Sequence, residues 1–131
     1  MSSTNEVPGP SEIVDAMISA IERHDLDAAL ALMTDDVEYD NVPMSKRHGV
    51  EAVREGLAPF LARATTVEWK VFHQAATGDV VMNERLDRFE MPGGWIEIPV
   101  AGLFVIRDGK IALWRDYFDL ATVTAAMAAI G

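Results

Sequence analysis

Cysteine is absent from the 131 residues of the chain. Disulfide bonds, thiolate nucleophiles and cysteine metal sites are therefore excluded. Basic side chains are scarce as well, since 11 Lys and Arg stand against 21 Asp and Glu and give a formal net charge of −10. Nucleic acids and anionic membranes favour clustered Lys and Arg, so we expect neither partner. We interpret the acidity as an aid to solubility.

Hydrophobic runs long enough to span a membrane are also missing, because such a helix needs about 20 consecutive apolar residues. Residues 1–10 are polar, contain two prolines and lack the apolar segment of a signal peptide. These features predict no membrane insertion and a cytoplasmic location.

Motifs for metals, nucleotides and serine nucleophiles are absent too. His24, His48 and His73 do not have the spacing of metal ligands. The glycines form no phosphate-binding loop, and there is no Gly-x-Ser-x-Gly sequence. We therefore expect neither a metal nor another cofactor.

What remains is a chain of which half the residues are hydrophobic. Its length allows one packed core but no second domain. We predict a flexible N-terminal segment over residues 1–10 and a single domain over residues 11–131.

Helical patterns dominate the first half of the chain. Ser11 is predicted to cap a first helix, whose apolar residues have the i, i+3, i+4, i+7 spacing of a buried stripe: Val14, Met17, Ile18 and Ile21. Asp25 is predicted to cap a second, shorter helix. A third helix is predicted to begin near Gly49, and Pro59 inside it predicts a kink or an early end.

Strand patterns dominate the second half. Alternation and turn residues predict five strands, at 37–41, 67–71, 79–89, 95–106 and 111–118. Residues 41–49 are predicted to be a loop, and Asp119 is predicted to cap a final alanine-rich helix. Helices on one face of a curved, mostly antiparallel sheet define an α+β domain.

Three of the strand segments place polar residues among apolar ones. Because residues two apart in a strand share a face, Tyr39 pairs with Asn41, and Arg85 pairs with Asp87. The same alternation sets Asp116 between two aromatic side chains, Trp114 and Phe118. Burying such groups unpaired is costly, so they must find one another. The pattern predicts a dry pocket with a polar floor, which favours acid–base chemistry.

Each of these residues also has an ordinary interpretation. Arg85 and Asp87 could form an exposed ion pair on an edge strand, where it would contribute little. Arg115 could be the partner of Asp116 in place of Arg85. Tyrosine is common in strands, and an asparagine before a proline-containing loop is usually a turn former.

The three segments resemble the limonene epoxide hydrolase family. The resemblance is carried by Tyr39 and Asn41 followed by Pro43, by the Glu-Arg-x-Asp of residues 84–87, and by the run Trp-Arg-Asp-Tyr-Phe-Asp of residues 114–119. It covers nearly the whole chain, from the helix after residue 11 to the last helix. Members of that family adopt a SnoaL-like, ketosteroid-isomerase-like cone, in which the curved sheet wraps around the helices, and we expect that fold here.

The resemblance implies the addition of water to an epoxide in one step, without a covalent intermediate, to give a vicinal diol. It implies that Asp116 takes a proton from a water held by Tyr39 and Asn41. Asp87 would donate a proton to the epoxide oxygen, and Arg85 would keep both carboxyl groups in place. It also implies a homodimer, and a terpenoid, lipid or steroid epoxide as the partner.

An apolar substrate needs an apolar pocket. The predicted wall comprises Ile18, Ile21, Phe60, Phe89, Ile98, Val100, Trp114, Phe118 and Val123. Each of these side chains is explained equally well as ordinary core. Pro59 and the polar loop at residues 44–47 could reshape the entrance. Two alternatives stay open: an isomerase or polyketide-cyclase-like enzyme on the same fold, and a non-catalytic domain that binds small molecules.

Overall fold

The protein is described by a computed structural model that covers residues 7–131. In chain order the elements are α1 (Pro10–Glu22), α2 (Leu26–Leu30), β1 (Met33–Asn41), β2 (Arg47–His48), α3 (Val50–Arg63), β3 (Thr66–Thr77), β4 (Val80–Met91), β5 (Gly94–Arg107), β6 (Lys110–Tyr117) and α4 (Leu120–Ile130). Most of the predicted N-terminal segment, residues 1–6, lies outside this range. No helix within residues 7–131 is long and apolar enough to cross a membrane.

The six strands form one sheet in the order β2-β1-β6-β5-β4-β3. Neighbouring strands are antiparallel except β1 and β6, which run parallel. The predicted α+β class and the mostly antiparallel sheet are therefore confirmed. The parallel pair matters for the site, because it brings the first strand of the chain alongside the last.

Strand alternation decides which side chains face the core. Along β4 every second residue is buried, namely Val81, Asn83, Arg85, Asp87, Phe89 and Met91. The apolar stripe of α1 is buried too, with Val14, Met17 and Ile21 fully enclosed. One face of the sheet and the inner faces of the helices thus share a single core, into which β4 also places charged residues.

Two predicted caps are confirmed and one is wrong. Asp25 caps α2 by accepting from the backbone N–H of Ala28 at 3.1 Å, and Asp119 caps α4. Ser11 is not a cap. It lies inside α1, because Pro10 occupies the first turn, where its missing N–H costs no hydrogen bond. Gly9 is the N-cap, and its N–H donates to Glu12 at 2.7 Å.

Other boundaries differ from the predictions as well, and β3, predicted at 67–71, extends to Thr77. Pro59 does not end α3, which continues to Arg63 because its apolar face stays buried on both sides of the proline. The predicted loop at 41–49 contains β2, which pairs with β1. β1 itself begins at Met33, earlier than predicted, because Met33 pairs with Ile111 of β6. Long-range pairing decides both strand boundaries.

Candidate active site

Arg85 lies between two aspartates in the middle of the sheet. Its Nε and Nη2 donate to the two carboxylate oxygens of Asp87, each at 3.0 Å. Its Nη1 and Nη2 donate to the carboxylate of Asp116 at 3.2 and 2.9 Å. The Arg85 side chain is 0% exposed, and the aspartate side chains are 8% and 7% exposed. The structure thus joins two of the three segments predicted to share a pocket.

Asp116 is held from a second side as well. The indole Nε1 of Trp114, two residues earlier on β6, donates to Asp116 Oδ1 at 2.9 Å. The alternative that Arg115 pairs with Asp116 is wrong, because Arg115 points to the other face of the strand. There it donates to Asp40 at 2.9 Å and to Glu38 at 3.2 Å.

Tyr39 and Asn41 reach this site through the parallel pairing of β1 with β6. Tyr39 is the register partner of Trp114, and Asn41 that of Asp116. The Tyr39 ring is 5% exposed and lies 5.0 Å from the Trp114 ring, centroid to centroid. Burial raises the pKa of Tyr39 to about 12, although the Asn41 amide acts in the opposite direction. The phenol is therefore neutral at ordinary pH and can both donate and accept a hydrogen bond.

Burial and charge act differently on Asp87 and on Arg85. Burial raises the pKa of Asp87 to about 6, even though Arg85 acts to lower it. Burial alone would lower the pKa of Arg85, but the carboxylates of Asp116 and Asp87 outweigh it and raise that pKa. Arg85 therefore remains a cation, while Asp87 keeps a proton to higher pH than an exposed aspartate. A permanent cation beside a carboxyl group that protonates readily can support an acid and a base in one site.

A cavity of about 320 Å³ opens above these groups. Tyr39, Asn41, Asp87 and Asp116 line it, and Arg85 is hydrogen bonded to the two carboxylates. Seven of the predicted wall residues line it: Phe60, Phe89, Ile98, Val100, Trp114, Phe118 and Val123. Met44, Ser45 and Arg47 of the predicted loop lie at the cavity as well.

Ile18 and Ile21 do not line this cavity, and their assignment to the wall is corrected. Both lie on α1 and are buried in the core, at 5% and 0% exposure. The cavity is lined by α3, α4, the sheet and the loops at residues 42–46 and 118–119, with no residue from α1. A periodic apolar stripe shows that a helix face is buried but not whether it faces a packed core or a cavity.

Several residues of the site were not predicted from the sequence, and four of them lie next to Arg85 or Tyr39. Asn83 accepts from Arg85 Nη1 at 3.1 Å, and the Trp69 ring lies under the Arg85 guanidinium at 5.1 Å. Gly102 and Gly56 leave space for Arg85 and for the Tyr39 ring, respectively. The alternation that pairs Arg85 with Asp87 also places Asn83 on their face. Glycine inside a strand is a known sign of close approach.

The part of the chain that the structure describes contains no set of metal ligands. Within residues 7–131, no group of three or more His, Cys, Asp or Glu side chains is arranged to hold a metal ion. The two aspartates of the site are both engaged by Arg85, whose positive charge opposes the binding of a cation.

The fold is a cone-shaped α+β scaffold with two buried carboxyl groups and an arginine beside its cavity. The same fold occurs in a SnoaL-like protein from Shewanella denitrificans, which is 15% identical, with a TM-score of 0.81 over 92% of this chain and 97% of that chain. It also occurs in a ketosteroid-isomerase-like protein from Catenulispora acidiphila, which is 24% identical, with a TM-score of 0.77 over 92% and 95%. The predicted fold is confirmed, but similarity at this level carries no function.

The chain belongs to the limonene-1,2-epoxide hydrolase family, since residues 8–129 match the catalytic-domain model of that family. It is 34% identical to the epoxide hydrolase EphG of Mycobacterium tuberculosis over 107 residues, which span 82% of this chain and 71% of EphG. A solved structure of an M. tuberculosis LEH-like epoxide hydrolase is 30% identical, with a TM-score of 0.79 over 92% of this chain and 90% of that chain.

Epoxide hydrolysis is therefore confirmed as the activity of this chain. Membership of this family, rather than the fold, favours epoxide hydrolysis over the isomerase, cyclase and binding-domain alternatives.

Proposed function

We propose that the enzyme opens its epoxide in one step, by direct attack of water on a ring carbon. The observation that carries the proposal is Arg85 bound to Asp87 and Asp116, with both carboxyl groups facing an apolar cavity. Epoxide opening needs a base for the water and an acid for the departing oxygen at the same moment. Two carboxyl groups sharing one guanidinium can supply both.

Asp116 is the base in this proposal. As a carboxylate it takes a proton from the water, while Tyr39 and Asn41 hold that water from the neighbouring strand. The new C–O bond forms as the epoxide C–O bond breaks. Support comes from the parallel register that places Asn41 beside Asp116, and from the neutral phenol of Tyr39.

Asp87 is the acid, and it transfers its proton to the oxygen of the opening ring. Its raised pKa supports this role, because an aspartate of ordinary pKa would hold no proton near neutral pH. Turnover leaves Asp116 protonated and Asp87 ionised. The proton then returns through the site, where both carboxylates accept from the same nitrogen, Arg85 Nη2.

An apolar epoxide is the substrate class we propose, of terpenoid, lipid or steroid type. The aliphatic and aromatic wall favours such molecules. The cavity volume of about 320 Å³ is within the range of small-molecule sites. Measuring diol formation from a panel of terpene, styrene, fatty-acid and steroid epoxides would define the preference within this class.

Single-turnover hydrolysis in oxygen-18 water tests the one-step mechanism. With enzyme in excess over epoxide, direct water attack places the label in the first diol formed. An ester intermediate on an aspartate would instead release an unlabelled first diol and leave the oxygen-18 in the protein. Mass spectrometry of the diol and of peptides containing Asp87 and Asp116 reads both outcomes, and the second outcome would contradict the proposal.

A homodimer is proposed as well. Phe72 on β3 and Met82 on β4 are 53% and 57% exposed, and large exposed apolar side chains favour an interface. We expect light scattering to give a mass of twice the 14.4 kDa of one chain. A monomer mass at micromolar concentration would contradict this.

A cytoplasmic location, and a reaction that needs only epoxide and water, also remain predictions.

A further inference from the structure

We propose that Asn83 is a positioning residue for Arg85, and that a chain of hydrogen bonds through Gln74 to Asp15 holds Asn83 in turn. The inference rests on the proposed roles of Arg85, Asp87 and Asp116. It adds to them a route by which a surface carboxylate on α1 contributes to the geometry of the buried site.

The guanidinium of Arg85 has five N–H donors, and the structure provides an acceptor for each. Asp87 accepts two, from Nε and Nη2, and Asp116 accepts two, from Nη1 and Nη2. The fifth N–H, on Nη1, is accepted by the side-chain oxygen of Asn83 at 3.1 Å. With all five donors engaged, rotation of the guanidinium would break at least one of these bonds.

Asn83 is itself held by a hydrogen bond on the side away from Arg85. Its Nδ2 donates to Gln74 Oε1 at 3.0 Å, and Gln74 Nε2 donates to Asp15 Oδ1 at 2.9 Å. Arg85 can only donate and an ionised Asp15 can only accept. Because a donor stands at one end of this row of hydrogen bonds and an acceptor at the other, only one orientation of each amide satisfies all three bonds. Hydrogen bonds aligned in one direction also polarise and strengthen one another.

The strand register puts these groups in line. Asn83 on β4 is the direct partner of Gln74 on β3 and of Gly102 on β5. Asn83 is 6% exposed, whereas Asp15 lies on the exposed face of α1. The row of hydrogen bonds therefore leads from the buried guanidinium to the surface between β3 and α1.

Removing the Asn83 acceptor should disturb catalysis more than substrate binding. An unpaired N–H on a buried guanidinium is unfavourable, so Arg85 would turn toward its remaining acceptors. Both carboxyl groups would move with it, although neither contacts Asn83. The apolar wall that binds the substrate would be unchanged, because Asn83 does not line the cavity.

Asn83→Leu, which keeps the number and branching of the side-chain heavy atoms but has no acceptor, is the first test variant. We expect kcat for any accepted epoxide to fall by about 10- to 100-fold, as for small misplacements of catalytic groups, with KM little changed. Glu84→Gln is the matched control, because Glu84 is the next residue, points to the exposed face and contacts His73 instead. It should retain wild-type kcat.

Asn83→Asp separates positioning from mere packing. It restores an acceptor for Arg85, so part of the lost kcat should return. Its added negative charge beside the site should raise the pKa of Asp87 further and move the alkaline fall in activity to higher pH. Gln74→Leu should lower kcat less than Asn83→Leu does and should have no additional effect in the Asn83→Leu background. Gln74 is nearer the surface, so this variant is informative even if Asn83→Leu folds poorly.

A readout independent of turnover is the NMR signal of the Arg85 guanidinium. The Nε–H should exchange slowly with water in the wild type and faster in Asn83→Leu. The inference would be overturned if Asn83→Leu kept the wild-type kcat and the wild-type rate of Nε–H exchange. It would also be overturned if Asn83→Asp neither recovered kcat nor shifted the pH profile. If the oxygen-18 experiment showed an ester intermediate, the one-step mechanism would fail, while the exchange result would still decide the role of Asn83.

Discussion

Asp116→Asn and Asp87→Asn are each expected to lower kcat for diol formation by about 10³-fold, within the range for loss of a general base or acid. An amide in place of the Asp116 carboxylate cannot take a proton from the attacking water. An amide in place of the Asp87 carboxyl group has N–H groups, but they are far too weakly acidic to protonate the opening ring. Each replacement also turns amide hydrogens toward the donors of Arg85, which weakens the geometry that remains.

The measurement is kcat for the diol on one epoxide, with folding followed by circular dichroism. Asp108→Asn is a suitable control, because Asp108 lies in the β5–β6 turn at φ 53°, a conformation that asparagine adopts as readily as aspartate. It should leave kcat and stability unchanged. If either active-site variant kept more than about a tenth of the wild-type kcat, the acid and base roles would be wrong.

The pH dependence of wild-type kcat/KM provides a second test of the role of Asp87. Because burial raises its pKa to about 6 and the proposed acid must be protonated, kcat/KM should fall as pH rises through that value. The same raised pKa makes the free energy of unfolding depend on pH. The folded state binds this proton more tightly than the unfolded chain, so the contribution of Asp87 is fully present below about pH 4 and is lost as pH rises through about 6. Chemical unfolding of wild type and Asp87→Asn across this range measures the difference.

Gly102→Ala is expected to lower kcat by about 10²-fold and the free energy of unfolding by about 1–3 kcal/mol. A Cβ at this position would lie 2.4 Å from Arg85 Nη1, 2.7 Å from Asn83 Oδ1 and 3.1 Å from Asp116 Oδ1. These atoms cannot yield easily, because each is buried and hydrogen bonded to another member of the site. One methyl group therefore forces Arg85 and its partners apart.

The effect of Gly102→Ala should be spatial, because Gly102 is not among the residues with positive φ. In an open strand the same change would be neutral or stabilising, since alanine loses less conformational entropy on folding. Ala101→Gly, on the neighbouring exposed position, is the control for β5 and should keep wild-type kcat. Normal activity in Gly102→Ala would show that the guanidinium has room to move, which contradicts the close packing around Arg85.

Local patterns predicted the elements and the faces of the strands. The alternation along β4 placed Arg85 and Asp87 on the buried face, and the aromatic neighbours of Asp116 indicated burial of that carboxylate. Asp25 and Asp119 were found as caps because a cap depends only on the adjacent turn. The same local reasoning failed at Ser11, where Pro10 occupies the first turn, and for an early helix end at Pro59, where the buried helix face outweighs the proline.

By itself, the sequence determined an α+β fold, a buried polar set on three strands and, through its three motifs, the family. Only the tertiary structure decided which partners those polar groups find. Alternation tells which face a side chain takes, but the register between distant strands sets its neighbours. That register brings Asn83 and Gly102 against Arg85 and places Asn41 beside Asp116. The packing of the helices decided in the same way that Ile18 and Ile21 fill the core while Phe60 and Val123 line the cavity.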